Sequence, residues 1–192
     1  MLARAWRHLR RRLEGPPPAR SGAAPAEHAP RQPQESPTPA APPPLPFELG
    51  PAEPPALEPL RDIYRDSVRE LTTRDCDEQQ RTAWAAAADT PDFTRELAQG
   101  LTLVARLHGE PVAFAQLHPT DTLRMLYVHP RASGLGIAIL LAQYLEDEAR
   151  IAGATTLHVQ SSRTAHRFFL RMGFEEEGTD EAAGWIGMRK TL

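Results

Sequence analysis

The chain has 192 residues, a formal net charge of −3 and a single cysteine, Cys76. That length holds one ordinary domain plus a tail, and the acidic balance argues against nucleic acid as the principal partner. One cysteine excludes an internal disulfide and a cysteine-rich metal site and suits a reducing, cytoplasmic setting, while no apolar run approaches the ~20 residues of a membrane span.

Residues 1–14 carry Arg4, Arg7, His8, Arg10, Arg11 and Arg12, with Trp6, Leu9 and Leu13 at helical spacing among them. This is a basic N-terminal segment and not a secretory signal, because the arginines lead into Glu14-Gly15-Pro16 and not into an apolar run. Residues 15–46 are rich in Pro, Ala, Ser, Gln and Glu, and sixteen of the 20 prolines precede residue 60. Such a composition cannot bury enough apolar area to offset its ordering entropy, so a disordered tether is expected there.

A folded domain is expected over residues 47–192. Phe47-Glu48-Leu49 reads as a short strand. A helix from about Pro55 carries Leu57, Leu60, Ile63, Tyr64, Val68 and Leu71 on one face. Asp75 or Asp77 caps a second helix that runs through Gln79 and Trp84 to Asp89-Thr90-Pro91, and a short helical piece around Phe93–Ala98 ends at Gly100. Three strands then follow as a meander: Leu101–Leu107, apolar on both faces and therefore central, Pro111–Leu117 and Thr122–Val128. Beyond a long amphipathic helix stopped by Gly153 come a strand over Thr155–Gln160, a helix capped by Ser161 or Ser162, and two strands, Phe174–Glu177 and Trp185–Arg189. This order gives an α+β fold with a mixed sheet.

The stretch with the clearest chemistry is Leu126-Tyr127-Val128-His129-Pro130-Arg131-Ala132-Ser133-Gly134-Leu135-Gly136-Ile137-Ala138. A strand ends at a proline, a glycine-bearing turn follows, and a helix opens at once. Such a joint aims backbone N–H groups and the positive end of a helix dipole at one spot, which suits phosphate oxygens. The Gly-Lys-Ser/Thr of a P-loop is absent, and Ile139 stands where a dinucleotide loop needs its third glycine.

Val128, Pro130, Ser133, Gly136 and Ala138 resemble the V-x-P-x-x-Q/R-x-x-G-x-G/A segment of the GNAT acetyltransferases, with Ser133 in place of the usual Gln or Arg. Gly109 before Val112-Ala113-Phe114-Ala115, and the run Ala165 to Phe174, resemble two further motifs of that family. Tyr64 to Thr72 with Ala83-Trp84 is similar to a bacterial subgroup of small GNAT proteins. The resemblance covers residues 47–192. It implies a mostly antiparallel sheet with helices on both faces, and transfer of an acetyl group from acetyl-CoA to a primary amine by direct attack. Leu126, Tyr127 and Val128 would pair with the pantetheine, and Ser133, Gly134, Leu135, Gly136, Ile137 and Ala138 would hold the pyrophosphate.

The attack needs an oxyanion donor, a base and a proton for the departing sulfur. A backbone N–H near Val128 or Tyr127 is the expected donor. Base candidates are His118, His129, Asp121 and Tyr127. Phe169 stands where many relatives carry a tyrosine hydroxyl, so either His166, one turn back, substitutes as the acid, or the thiolate takes its proton from the tetrahedral intermediate or from water. Tyr64 and Ser67, also one turn apart, are the candidate acceptor-binding pair. The acceptor itself, a small molecule or a peptide amine, is not legible; a homodimer is compatible with the resemblance, and no metal site is expected. Two other readings stand beside catalysis: an acyl-CoA-binding module without turnover, kept open by Phe169 and Ser133, and a nucleotide-binding domain.

Overall fold

The computed structural model describes residues 47–52, 57–180 and 184–192. The basic segment 1–14 and the tether 15–46 lie outside the described residues. The elements in chain order are β1 (Glu48–Pro51), α1 (Leu57–Leu71), α2 (Glu78–Ala86), α3 (Pro91–Leu97), β2 (Leu101–Leu107), β3 (Glu110–Leu117), β4 (Thr122–Val128), α4 (Ile137–Ile151), β5 (Thr156–Ser162), α5 (Arg163–Arg171), β6 (Glu175–Asp180) and β7 (Trp185–Thr191). Short 3₁₀ turns at Ala87–Asp89 and Pro130–Ala132 complete the chain.

Local chemistry accounts for the boundaries. Of the two aspartates expected to start α2, Asp77 does so: its carboxylate accepts from the Gln80 N–H at 2.8 Å, and the Gln80 side chain accepts from the Asp77 N–H at 3.0 Å. Asp75 instead accepts from the Thr164 hydroxyl at 2.7 Å, tying the α1–α2 loop to α5. Thr90 caps α3, with Pro91 at its first position. Ser162 is both the last residue of β5 and the cap of α5, its hydroxyl accepting from the Ala165 N–H at 3.2 Å.

The seven strands form one sheet in the order β1-β2-β3-β4-β5-β7-β6. Every pairing is antiparallel except β4 with β5. β2 lies between β1 and β3, as its two apolar faces required. The connection of β2 to β3 is a two-residue hairpin, His108-Gly109, with φ of 53° and 82°. Histidine is strained there, so His108→Asn is expected to raise unfolding free energy by about 0.5 kcal/mol in urea titration.

Helices cover both faces. On one, α1, α2 and α3 bury Leu60, Ile63, Ala85, Phe93 and Leu97 against Val104, Phe114 and Met125. On the other, Ile137, Leu141 and Leu145 of α4 and Phe169 of α5 pack on Leu123, Leu157, Val159 and Met188. The second layer therefore straddles the junction of β4 with β5, and that junction is incomplete.

Candidate active site

β4 and β5 are paired only at Thr122–His158 and Leu123–Val159. Beyond Leu123 the two strands part, while β4 stays hydrogen-bonded to β3 on its other edge through Val128. The His129 N–H donates to the Val112 carbonyl at 2.8 Å. Strand N–H groups alternate in direction, so the Tyr127 N–H also points at β3 and those of Leu126 and Val128 point into the gap. Of the two N–H groups expected near the reacting carbonyl, that of Val128 faces the gap, with Leu126 beside it, and that of Tyr127 does not.

The gap opens into a cleft of about 580 Å³, walled by α1 at Ser67, Val68 and Leu71 and by α5 at Thr164, Ala165 and Phe168. Its floor runs from Leu126, Tyr127 and Val128 to Ser133, Gly134, Gly136, Ile137 and Ala138. Here Gly134 has φ 83°, and Gly136, the residue that opens α4, has φ 77°. A Cβ added at either would meet nothing within 4 Å. The turn is therefore a bare backbone concavity at a helix N-terminus, held in place by the buried side chains of Ala132 and Ile137. Leu135, at the crest of the turn, is 48% exposed.

Arg131 does not reach into this concavity. Its guanidinium pairs with Glu110 at 2.9 Å. The His129 ring accepts from the Arg131 N–H at 3.1 Å through Nδ1 and lies 3.3 Å from Asp66 through Nε2. Both side chains thus fasten the turn to β3 and α1.

Beside the cleft, under α1, α2 and α3, lies a second cavity of about 590 Å³, which shares Trp84, Leu123, Tyr127, Gln160 and Trp185, among others, with the first. Tyr64 packs against Phe93 at 4.7 Å and Tyr127 at 4.6 Å between ring centroids. The Tyr127 hydroxyl is bonded to that of Tyr64, which donates to the Trp84 carbonyl at 3.3 Å. Burial pushes Tyr64 up to about 12, and burial together with the Tyr64 hydroxyl and Glu96 holds Tyr127 well above its usual range. Both phenols therefore keep their protons near neutrality.

That burial has a stability consequence. A tyrosine whose folded pKa exceeds its unfolded value of 10.0 favours the folded state below pH 10 and loses that contribution as pH rises toward about 12. Roughly 3 kcal/mol is at stake for a two-unit shift. Thermal unfolding across pH 9–12 is expected to show a steep alkaline decline, and Tyr64→Phe a shallower one.

The candidates named from sequence are thus spread over different places. Ser67 lines the first cleft and Tyr64 the second cavity, so this pair does not share one pocket. His118 sits in the β3–β4 turn, its N–H donating to the Thr122 carbonyl at 2.9 Å, and it lines neither cavity. Asp121, in the same turn, uses its carbonyl to accept from the His158 N–H at 2.8 Å. His166 turns toward β6 and bonds Glu176 at 2.7 Å, whereas Phe169 is buried at 3% exposure. Sequence reasoning did not find Trp84, Trp185, Glu96 or Gln160 as lining residues. Among the described residues no group of three or more His, Cys, Asp or Glu side chains could hold a metal ion, and no helix is long and apolar enough to cross a membrane.

A sheet split between its fourth and fifth strands, with a glycine turn leading into a helix beside the split, matches one established class. The acetyltransferase (GNAT) domain family model matches residues 72–192. The GCN5-related N-acetyltransferase from Rhodopseudomonas palustris is 36% identical over 76% of this chain and 95% of its own, with a TM-score of 0.71. The chain belongs to the GNAT acetyltransferases and is an acyltransferase, with the α+β fold that the resemblance implied. The same fold is found in the PaiA N-acetyltransferase from Thermoplasma acidophilum, in complex with coenzyme A (19% identity, 76% and 99% of the two chains, TM-score 0.67). It is also found in yncA from Salmonella typhimurium with acetyl-CoA (21%, 76% and 94%, TM-score 0.51). No curated protein matches the chain.

Proposed function

We propose that this protein transfers an acetyl group from acetyl-CoA to a primary amine by direct attack. One observation carries the reading: β4 and β5 part after Leu123 and Val159, leaving two backbone donors facing a gap that ends at the Gly134–Gly136 turn. The solved structures holding coenzyme A and acetyl-CoA share this fold and support the same ligand here.

Acetyl-CoA suits the residues present. A diphosphate needs close backbone approach and positive potential, which Gly134, Gly136 and the start of α4 offer with no side chain in the way. Ser133, Leu135, Ile137 and Ala138 complete that cradle. The N–H groups of Leu126 and Val128, with the Tyr127 backbone between them, hold the pantetheine arm, and Val128 stabilises the negative oxygen as it develops. The bound thioester supplies an acetyl group on a thiol that leaves readily near neutrality.

The amine approaches from the Tyr64 side of the parting. Its nitrogen forms a bond to the acetyl carbon, the carbon–sulfur bond breaks, and the surplus N–H proton passes to solvent or to the departing sulfur. Phe169 has no proton to give and His166 is engaged by Glu176, so this reading assigns no protein acid to that last step. Ser67 is the polar wall of the thioester side, and the protonated Tyr127 hydroxyl orients the groups at the junction.

Calorimetric titration with acetyl-CoA, followed by thiol release across a panel of amines, tests this. Saturable binding with amine-dependent release is expected. Binding with no release from any amine would favour a silent acyl-CoA-binding module, the reading that Phe169 keeps open. Absence of binding would overturn both.

A further inference from the structure

The second cavity is large enough for a small molecule, and much of its lining is aromatic. Trp84 of α2 and Trp185 of β7 meet edge to face, with ring centroids 5.1 Å apart and planes at 83°. Both rings are half-buried and both line the two cavities, so they stand at the point where acceptor and thioester must meet. Tyr64 and Phe93 extend the aromatic wall inward.

The carboxylates of the same cavity are few and already partnered. Glu96 pairs with Arg124 at 3.3 Å, and Arg124 also lines the cavity. Asp92 pairs with Arg95 along α3. One ammonium can be drawn toward Glu96, but a second or third positive charge would face the Arg124 guanidinium and find no free carboxylate. Arg124 gives one N–H to Glu96, and a ligand carboxylate taking up its other donors would lie beside the like charge of Glu96. The lining therefore favours a ligand whose affinity comes from a flat ring and not from charge.

We infer that the acceptor is a primary amine with one positive charge and an aromatic ring, an arylalkylamine, whose ring lies against the Trp84–Trp185 pair while its nitrogen reaches the gap beside Leu126 and Val128. This rests on the acetyl-transfer reading above. The ring binds by stacking and edge contacts with the indoles, and Glu96 draws the ammonium into the cavity; its proton is lost to solvent before the nitrogen reaches the gap.

The test separates the ring site from the chemistry. The chain has three tryptophans, so in a Trp6→Phe background Trp84 and Trp185 are the remaining indole reporters. In that full-length protein 2-phenylethylamine is expected to change the indole fluorescence saturably, while putrescine, spermidine and phenylalanine do not. Thiol release from acetyl-CoA is expected to be at least about tenfold more efficient, as kcat/KM, with 2-phenylethylamine than with spermidine or a lysine peptide. Trp185→Leu is expected to raise the KM for 2-phenylethylamine about tenfold with acetyl-CoA affinity little changed, and Trp185→Phe to retain most of the affinity. A preference for polyamines or lysine peptides would overturn the arylalkylamine assignment and leave acetyl transfer standing. A saturable fluorescence change without any thiol release would support the ring site and count against turnover. No fluorescence change with 2-phenylethylamine would overturn the ring site whatever the enzymology.

Discussion

Gly136→Glu is expected to abolish acetyl-CoA binding while leaving a folded protein. Gly136 occupies φ 77° immediately before α4, a conformation that costs a side-chain-bearing residue about 1–2 kcal/mol. No atom lies within 4 Å of the Cβ it would gain, so no clash adds to that strain. The new side chain projects into the concavity, where its bulk lifts the diphosphate off the backbone N–H groups. Its carboxylate also places a negative charge where the helix terminus attracts one. A loss of at least about a hundredfold in affinity follows if both effects act together, each worth more than 1.4 kcal/mol. Gly153→Glu is the matched control. Gly153 has φ 90° and equally open surroundings, but it lies past the other end of α4. Both variants should lose a few degrees in Tm, and only the first should lose the ligand. Equal affinities in the two would place the diphosphate elsewhere and remove the basis for the catalytic reading.

That glycine turn was legible in the sequence because it is local: thirteen consecutive residues specify strand, turn and helix without help from the rest of the fold. The strands from Leu101 to Val128 were legible for the same reason, their apolar runs being bounded by His108-Gly109 and His118-Pro119. Capping was readable to within a choice of two residues, and tertiary contacts decided it, since Thr164 takes up Asp75 and leaves α2 to Asp77. The second cavity was not legible. Tyr64, Trp84, Glu96 and Trp185 come from α1, α2, α3 and β7, and no sequence spacing relates them. His166 shows a finer limit. Three residues along a helix turn the side chain by about 300°, not a full circle, and the ~60° difference carries His166 away from the cleft to Glu176. Ser67 and Tyr64 share one helix and one face of the sheet, yet Ser67 lines the first cleft and Tyr64 the second cavity.

Lys190→Met is expected to be among the most destabilising single changes on β7, although Lys190 touches neither cavity. Glu146 of α4 is 4% exposed, and its carboxylate accepts from the Lys190 ammonium at 2.7 Å. The only other cation near it is Arg150, at 3.7 Å and half-exposed, among the described residues. Removing Lys190 leaves the buried carboxylate with only the longer contact to half-exposed Arg150, and a cost of up to roughly 3 kcal/mol is expected. The penalty belongs to the unpaired charge, not to the pair, so the double change Glu146→Met with Lys190→Met should recover most of the stability. The architecture makes this pair more than a local contact. α4 packs chiefly on β3 and β4, whereas β7 lies beyond β5, on the far side of the parting. The Glu146–Lys190 bond therefore ties the helix whose first turn forms the cradle to the half of the sheet that β4 has left. Urea unfolding of the three variants measures the cycle, and acetyl-CoA titration of the double variant measures the tie. With stability restored and the cross-link absent, weaker binding would assign the ion pair to holding the two halves of the sheet in register for the ligand, and unchanged binding would confine its role to the fold.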